Sequence, residues 1–167
     1  PLHTDHPPAP SFVRDVFGTL APKHRAIAVK RSAYVKTLIV PRPHRLGIGY
    51  LAGTGPVRRW LADIKHRCLE AFGKDVPQRV YVSRAGLDQT SPFAKILYEE
   101  WIEAYLQAEG YFIMRPETMP FARQLAMYAG AQQLIFAEGS TGHVYPMVGR
   151  PDQKVMFILR RALATIS

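Results

Sequence analysis

The chain has 167 residues, 47% of them hydrophobic and 21% charged, a balance that excludes an intrinsically disordered polypeptide. No run of about 18 apolar residues occurs, which excludes a transmembrane helix. A net charge of +9 favours an anionic partner, whether nucleic acid, an acidic lipid surface or a nucleotide diphosphate.

The basic residues are scattered, without Lys/Arg blocks or aromatic–basic ladders, so nucleic acid is not the expected partner. Peripheral association with an acidic membrane stays open on charge alone. The lone Cys68 has no partner for an internal disulfide, which suits a reducing compartment, most simply the cytoplasm. The Pro- and His-rich stretch 1–10 lacks the apolar core of a signal peptide and begins without methionine. A processed chain, or a piece of a longer protein, is therefore expected.

In chain order, residues 1–24 are predicted to be an extended lead-in, because Pro7, Pro8, Pro10 and Pro22 oppose regular structure. A β-rich segment and its connection occupy 25–56, with runs at Ala26–Val29 and Lys36–Val40. Gly47, Gly49, Gly53 and Gly55 suggest a dinucleotide loop. Two prolines separate them from the preceding run, however, and their spacing departs from that fingerprint, so a flexible connection is expected.

From residue 57 the chain alternates. Val57, Leu61, Ile64, Cys68 and Phe72 recur at helical spacing up to Gly73, and Arg79–Ser83 reads as a short strand. A second helix is predicted over Phe93–Ala108, with Leu97, Trp101 and Tyr105 as its core ridge and Tyr98 and Ile102 as the next. The adjacent Glu99 and Glu100 are expected on a solvated face. Tyr111–Arg115 is the next strand, and Pro120 opens a helix carrying Phe121, Leu125 and Tyr128 up to Gly130. Gln133–Ala137 is a strand, a short helix follows near Tyr145, and Lys154–Leu159 is the last strand.

Strand–helix alternation about every 20 residues predicts an α/β fold with an open parallel sheet and helices on both faces. Ligands of such sheets bind beyond the carboxyl ends of the strands, where backbone N–H groups meet anions. The loops after Val82, Met114 and Phe136 are the places to look.

In those loops, Arg84 follows a strand end, where a guanidinium forks onto a pyrophosphate; the alternative is a solvated arginine. Ser83 either donates to a phosphate oxygen or caps its loop. In Glu138-Gly139-Ser140-Thr141-Gly142, small residues let backbone N–H groups converge on a phosphate, while a plain strand-to-helix turn would use the same glycines. Glu138 would repel a phosphate, so it suits a sugar hydroxyl or the role of general base. His143 at the helix start suits a ligand's phosphates or simple packing. Glu117 suits ribose hydroxyls or the positive end of the helix opened by Pro120, and Gln124 suits a structural hydrogen bond. No metal site is expected: His143 has no second ligand at a suitable spacing, and His3 and His6 lie in the lead-in.

Between Arg79 and Arg161 the chain resembles glycosyltransferase family 61, which includes many capsular polysaccharide biosynthesis enzymes. The resemblance rests on Tyr81-Val82-Ser83-Arg84, Ile96-Leu97-Tyr98-Glu99-Glu100, Gly110-Tyr111-Phe112, Arg115-Pro116-Glu117, Met119-Pro120-Phe121 with Gln124, and Ala137 through His143. The family usually has asparagine where Tyr98 stands, often an extra arginine that is absent between Arg84 and Lys95, and most commonly His-Gly-Ala-Gly-Leu where Glu138-Gly139-Ser140 stands.

The resemblance implies a Rossmann-like donor-binding domain over 57–167, the C-terminal half of a GT-B glycosyltransferase. It implies metal-independent, inverting transfer from a nucleotide-sugar donor to a carbohydrate acceptor in polysaccharide biosynthesis, without a cofactor. Ser83, Arg84, Glu117, Gly139, Ser140, Thr141 and His143 would hold the donor and Glu138 would be the catalytic residue. A non-catalytic nucleotide- or carbohydrate-binding module of the same fold is the second reading.

Overall fold

The computed structural model describes residues 11–24, 29, 32, 34–38, 54–87 and 96–159. The chain divides into two units, Pro1–Arg58 and Arg59–Ser167. In the first, helix α1 spans Ser11–Leu20, contrary to the expected extended lead-in. The physical reason is position: Pro10 and Pro22 flank the helix and leave the residues between them free to hydrogen-bond. None of its residues is buried. The described residues at 29, 32 and 34–38 hold no strand, and the remainder of the two expected β-runs lies outside the described residues, as do Gly47, Gly49 and Gly53.

Helix α2 (Gly55–Phe72) crosses the boundary between the units and buries Ile64 and Cys68 one turn apart. Burial pushes the Cys68 thiol pKa up, which disfavours its thiolate. No helix among the described residues is long and apolar enough to cross a membrane.

Four strands form the sheet of the second unit: β1 (Arg79–Val82), β2 (Phe112–Met114), β3 (Gln133–Ala137) and β4 (Lys154–Ile158). All neighbours are parallel and the order is β2-β1-β3-β4. The expected open α/β architecture is thus present. The chain steps from β1 to β2 on one side, then crosses back over β1 to reach β3. Winding therefore reverses between β1 and β3, and right-handed crossovers place their helices on opposite faces.

Side-chain alternation shows this directly. Tyr81, Ile135 and Ala137 point to one face, where they pack with Leu106 and Ile102 of helix α3 (Glu99–Ala108). Phe136 points to the other face, where its ring lies 5.5 Å from that of Tyr128 on helix α4 (Phe121–Gly130). Helix α4 begins after Pro120 and ends at Gly130, as the sequence predicts. Its last carbonyls are capped from a distance: Arg150 donates to Ala129 O at 2.6 Å, and Gln153 Nε2 donates to Tyr128 O at 2.8 Å and Ala131 O at 2.6 Å. After β3 comes a short helix, α5 (Thr141–Val144), then a 3-10 turn at Tyr145–Met147 that accommodates Pro146.

Helix α3 corrects two expectations. It starts at Glu99 rather than Phe93, with residues 88–95 outside the described residues and Tyr98 left-handed at φ 59° just before it. Its buried face is Glu99, Ile102 and Leu106, while Leu97, Tyr98, Trp101 and Tyr105 are exposed. Two apolar stripes compete on this helix, and the one that carries a carboxylate faces inward. The reason lies in the site described next.

The Tyr128 hydroxyl is fully buried and has no hydrogen-bond partner among the described residues. Burial raises the pKa of its phenol. An unpaired buried hydroxyl costs roughly 1–3 kcal/mol. Tyr128→Phe should therefore raise stability, by about 1 kcal/mol in urea titration. A loss of stability would contradict this account of the hydroxyl.

Candidate functional site

Because all strands are parallel, the turns after β1, β2 and β3 leave the same edge of the sheet, side by side. The backbone ladder continues one residue into two of them: Ser83 N donates to Met114 O and Glu138 N donates to Ile158 O, both at 2.9 Å. The rim therefore inherits the rigidity of the sheet.

The turns also touch one another. A side chain at Gly139, in the β3 turn, would overlap the guanidinium of Arg84, from the β1 turn. A side chain at Gly86, in the β1 turn, would overlap the carboxylate of Glu117, from the β2 turn. At both places the absence of a side chain lets a long side chain from a neighbouring turn lie close to the backbone; a larger residue would displace that guanidinium or carboxylate. Arg84 thus sits where the winding of the sheet reverses, the crevice that open α/β sheets offer to ligands.

Beneath this rim lies a carboxylate. Glu99, 3% exposed, accepts at Oε1 from Arg84 N–H at 2.7 Å and from the Tyr81 hydroxyl at 3.0 Å. Ser83 Oγ also lies 3.2 Å from Glu99 Oε1 and donates to Glu103 Oε1 at 2.5 Å, while it accepts from Ala85 N–H. Glu103 in turn receives Arg115 Nη2 on its other oxygen at 2.9 Å. Tyr81, Ser83, Glu99, Glu103 and Arg115 thus form one network linking β1, α3 and the β2 turn. Burial first, then the Glu99 and Glu103 carboxylates, hold the Tyr81 phenol protonated far above its ordinary range. The hydrogen bond to Glu103 leads the causes that raise the Arg115 pKa.

Each expected site residue has a definite place. Ser83 is 2% exposed and its hydroxyl is engaged inside the network, so it shapes the turn from below. Arg84, Glu138, Gly139 and Thr141 are half-buried on the rim, and Glu117, Ser140 and His143 are exposed there. Thr141 Oγ1 is buried without a hydrogen-bond partner among the described residues. Gln124 makes the structural bonds expected of it, donating to Pro116 O at 2.8 Å and Met119 O at 3.1 Å.

Glu99 corrects the sequence reading, which put it with Glu100 on a solvated face; only Glu100 is exposed. Glu103 was not singled out at all. The available signal was its spacing, because residues four apart put both carboxylates on one helix face.

Among the described residues no group of three His, Cys, Asp or Glu side chains is placed to hold a metal ion. A shallow cavity of about 220 Å³ lies at the opposite, amino end of the strands, lined by residues that include Tyr111, Gln133, Lys154 and Met156. It is remote from the rim.

The family model Glycosyltransferase 61 matches residues 9–154. The chain belongs to glycosyltransferase family 61. No curated protein and no solved structure matches it. Tyr98 adopts a left-handed backbone, a region that bulky side chains rarely occupy.

Glu99→Ala should cost about 3 kcal/mol in equilibrium unfolding, because the Tyr81 hydroxyl and Arg84 N–H lose their acceptor. Adding Tyr81→Phe should recover about 1 kcal/mol of that loss. A Glu99→Ala variant as stable as its parent would contradict the role given to the carboxylate.

Proposed function

We propose that this family 61 member transfers a sugar from a nucleotide-sugar donor to a carbohydrate acceptor, and that the rim holds the donor diphosphate. The observation that carries the reading is the stacking of Arg84 on Gly139 where the sheet reverses its winding. Here the Arg84 backbone N–H is held from below by Glu99, and its guanidinium lies against a turn whose small residues admit a close phosphate. Charge-assisted, bidentate hydrogen bonds to phosphate are the strong ones. Ser140 and the buried Thr141 hydroxyl add donors, and His143 and Glu117 border the same rim.

In this reading the reaction is a single displacement without metal. An acceptor hydroxyl attacks the anomeric carbon, the bond from that carbon to the diphosphate oxygen breaks, and the hydroxyl proton passes to a base. Glu138 is the proposed base, half-buried beside Gly139. Arg84 and the turn N–H groups offset the charge gathering on the departing diphosphate. The all-parallel sheet supports a role as the C-terminal, donor-binding half of a GT-B enzyme, with inversion at the anomeric carbon. Capsular or other polysaccharide biosynthesis in the cytoplasm, with peripheral membrane association, is the setting suggested by the family, the lone cysteine and the basic charge.

The test is a panel of nucleoside diphosphates measured by calorimetry on the parent, Arg84→Ala and Gly139→Ala. At least one should bind the parent, and both substitutions should weaken it about tenfold or more with the fold intact. A parent that binds none, or an Arg84→Ala variant that binds equally well, would overturn the site. Binding without donor hydrolysis or transfer would favour the non-catalytic module.

A further inference from the structure

Helix α3 has a second apolar stripe opposite the one that faces the sheet. Leu97, Tyr98, Trp101 and Tyr105 are 81%, 65%, 72% and 66% exposed, and Ala104 and Ala108 are exposed between and beyond them. From Trp101 onward these residues recur at spacings of three and four, the seam by which one helix packs against another. Leu97 and Tyr98 extend the stripe from the turn before the helix, and the Tyr98 ring already meets that of Trp101 at 5.7 Å. Together the four large side chains expose on the order of 600 Å², the size of the largest patch on a typical monomer.

We propose that this stripe is a homodimer interface, in which the α3 helices of two copies pack antiparallel about a two-fold axis between Trp101 and Ala104. A two-fold interface must be self-complementary, and the antiparallel arrangement makes this one so. Trp101 of one copy lies on Ala104 of the other, large on small. Leu97 and Tyr98 meet Ala108 and Tyr105 of the second copy. Glu100 falls beside Gln107, an amide that donates to its carboxylate. A parallel pairing would instead set Trp101 on Trp101, large on large, and would lose the match of Glu100 to Gln107. Two such patches bury about 1,200 Å² in total, which reaches the lower range of stable interfaces.

The test uses the full chain. Sedimentation equilibrium across the micromolar range should give twice the mass of one chain, and Trp101→Glu should give one chain mass with an unchanged circular dichroism spectrum. A short bismaleimide should then join two copies through Ala104→Cys, next to the axis. It should not join them through Ala108→Cys, where the two sites are about 16 Å apart along the helices. The native Cys68 is buried and does not compete. A monomeric parent, a Trp101→Glu variant that still dimerises, or cross-linking at both positions or at neither would overturn the proposal.

Discussion

A single buried carboxylate organises the carboxyl edge of this sheet. Glu99 sits at the first position of α3, where unpaired N–H groups already favour negative charge. Its Oε1 accepts from a backbone N–H and a phenol of the β1 segment. Without that acceptor the Tyr81 hydroxyl, under α3 and fully buried, would have no partner to offset its desolvation. The same bonds fix the backbone direction at Arg84. The face that α3 turns inward and the shape of the β1 turn, from which Arg84 departs, are therefore consequences of one constraint.

From that constraint the rim follows by topology. The order β2-β1-β3-β4 places β1 between the other two functional strands, so its turn is the one that both neighbours reach. Gly86 admits the Glu117 carboxylate and Gly139 admits the Arg84 guanidinium. Acidic and basic side chains from all three turns thus meet along one edge of the sheet. Arg115, drawn down to Glu103, serves the network below, while Arg84 is held on the rim above.

Much of this was legible in the sequence, for identifiable reasons. Strands β1 and β3 and helix α4 are short apolar elements closed by proline or glycine, and their boundaries fall within a residue or so of expectation. The three turns were locatable because a parallel sheet puts every strand end on one edge. What escaped depended on choices that local pattern leaves open. Helix α3 offers two apolar stripes of similar strength, and only the demand of Tyr81 for an acceptor picks the stripe containing Glu99. Helix α1 was hidden by prolines that flank it without entering it. For Ser83 the sequence left a phosphate contact and a loop cap open, because its position says nothing about the carboxylates beneath it; the bond it accepts from Ala85 N–H fits the cap.

The most direct measurement of the central claim is a map of backbone amide chemical shifts as a nucleoside diphosphate is added to the full chain. The account predicts the largest changes at Arg84, at Gly139 through Thr141, and at Glu117, in one saturating process. Shifts clustered instead around Tyr111, Gln133 and Lys154 at the opposite edge, or no saturable shifts at all, would contradict it.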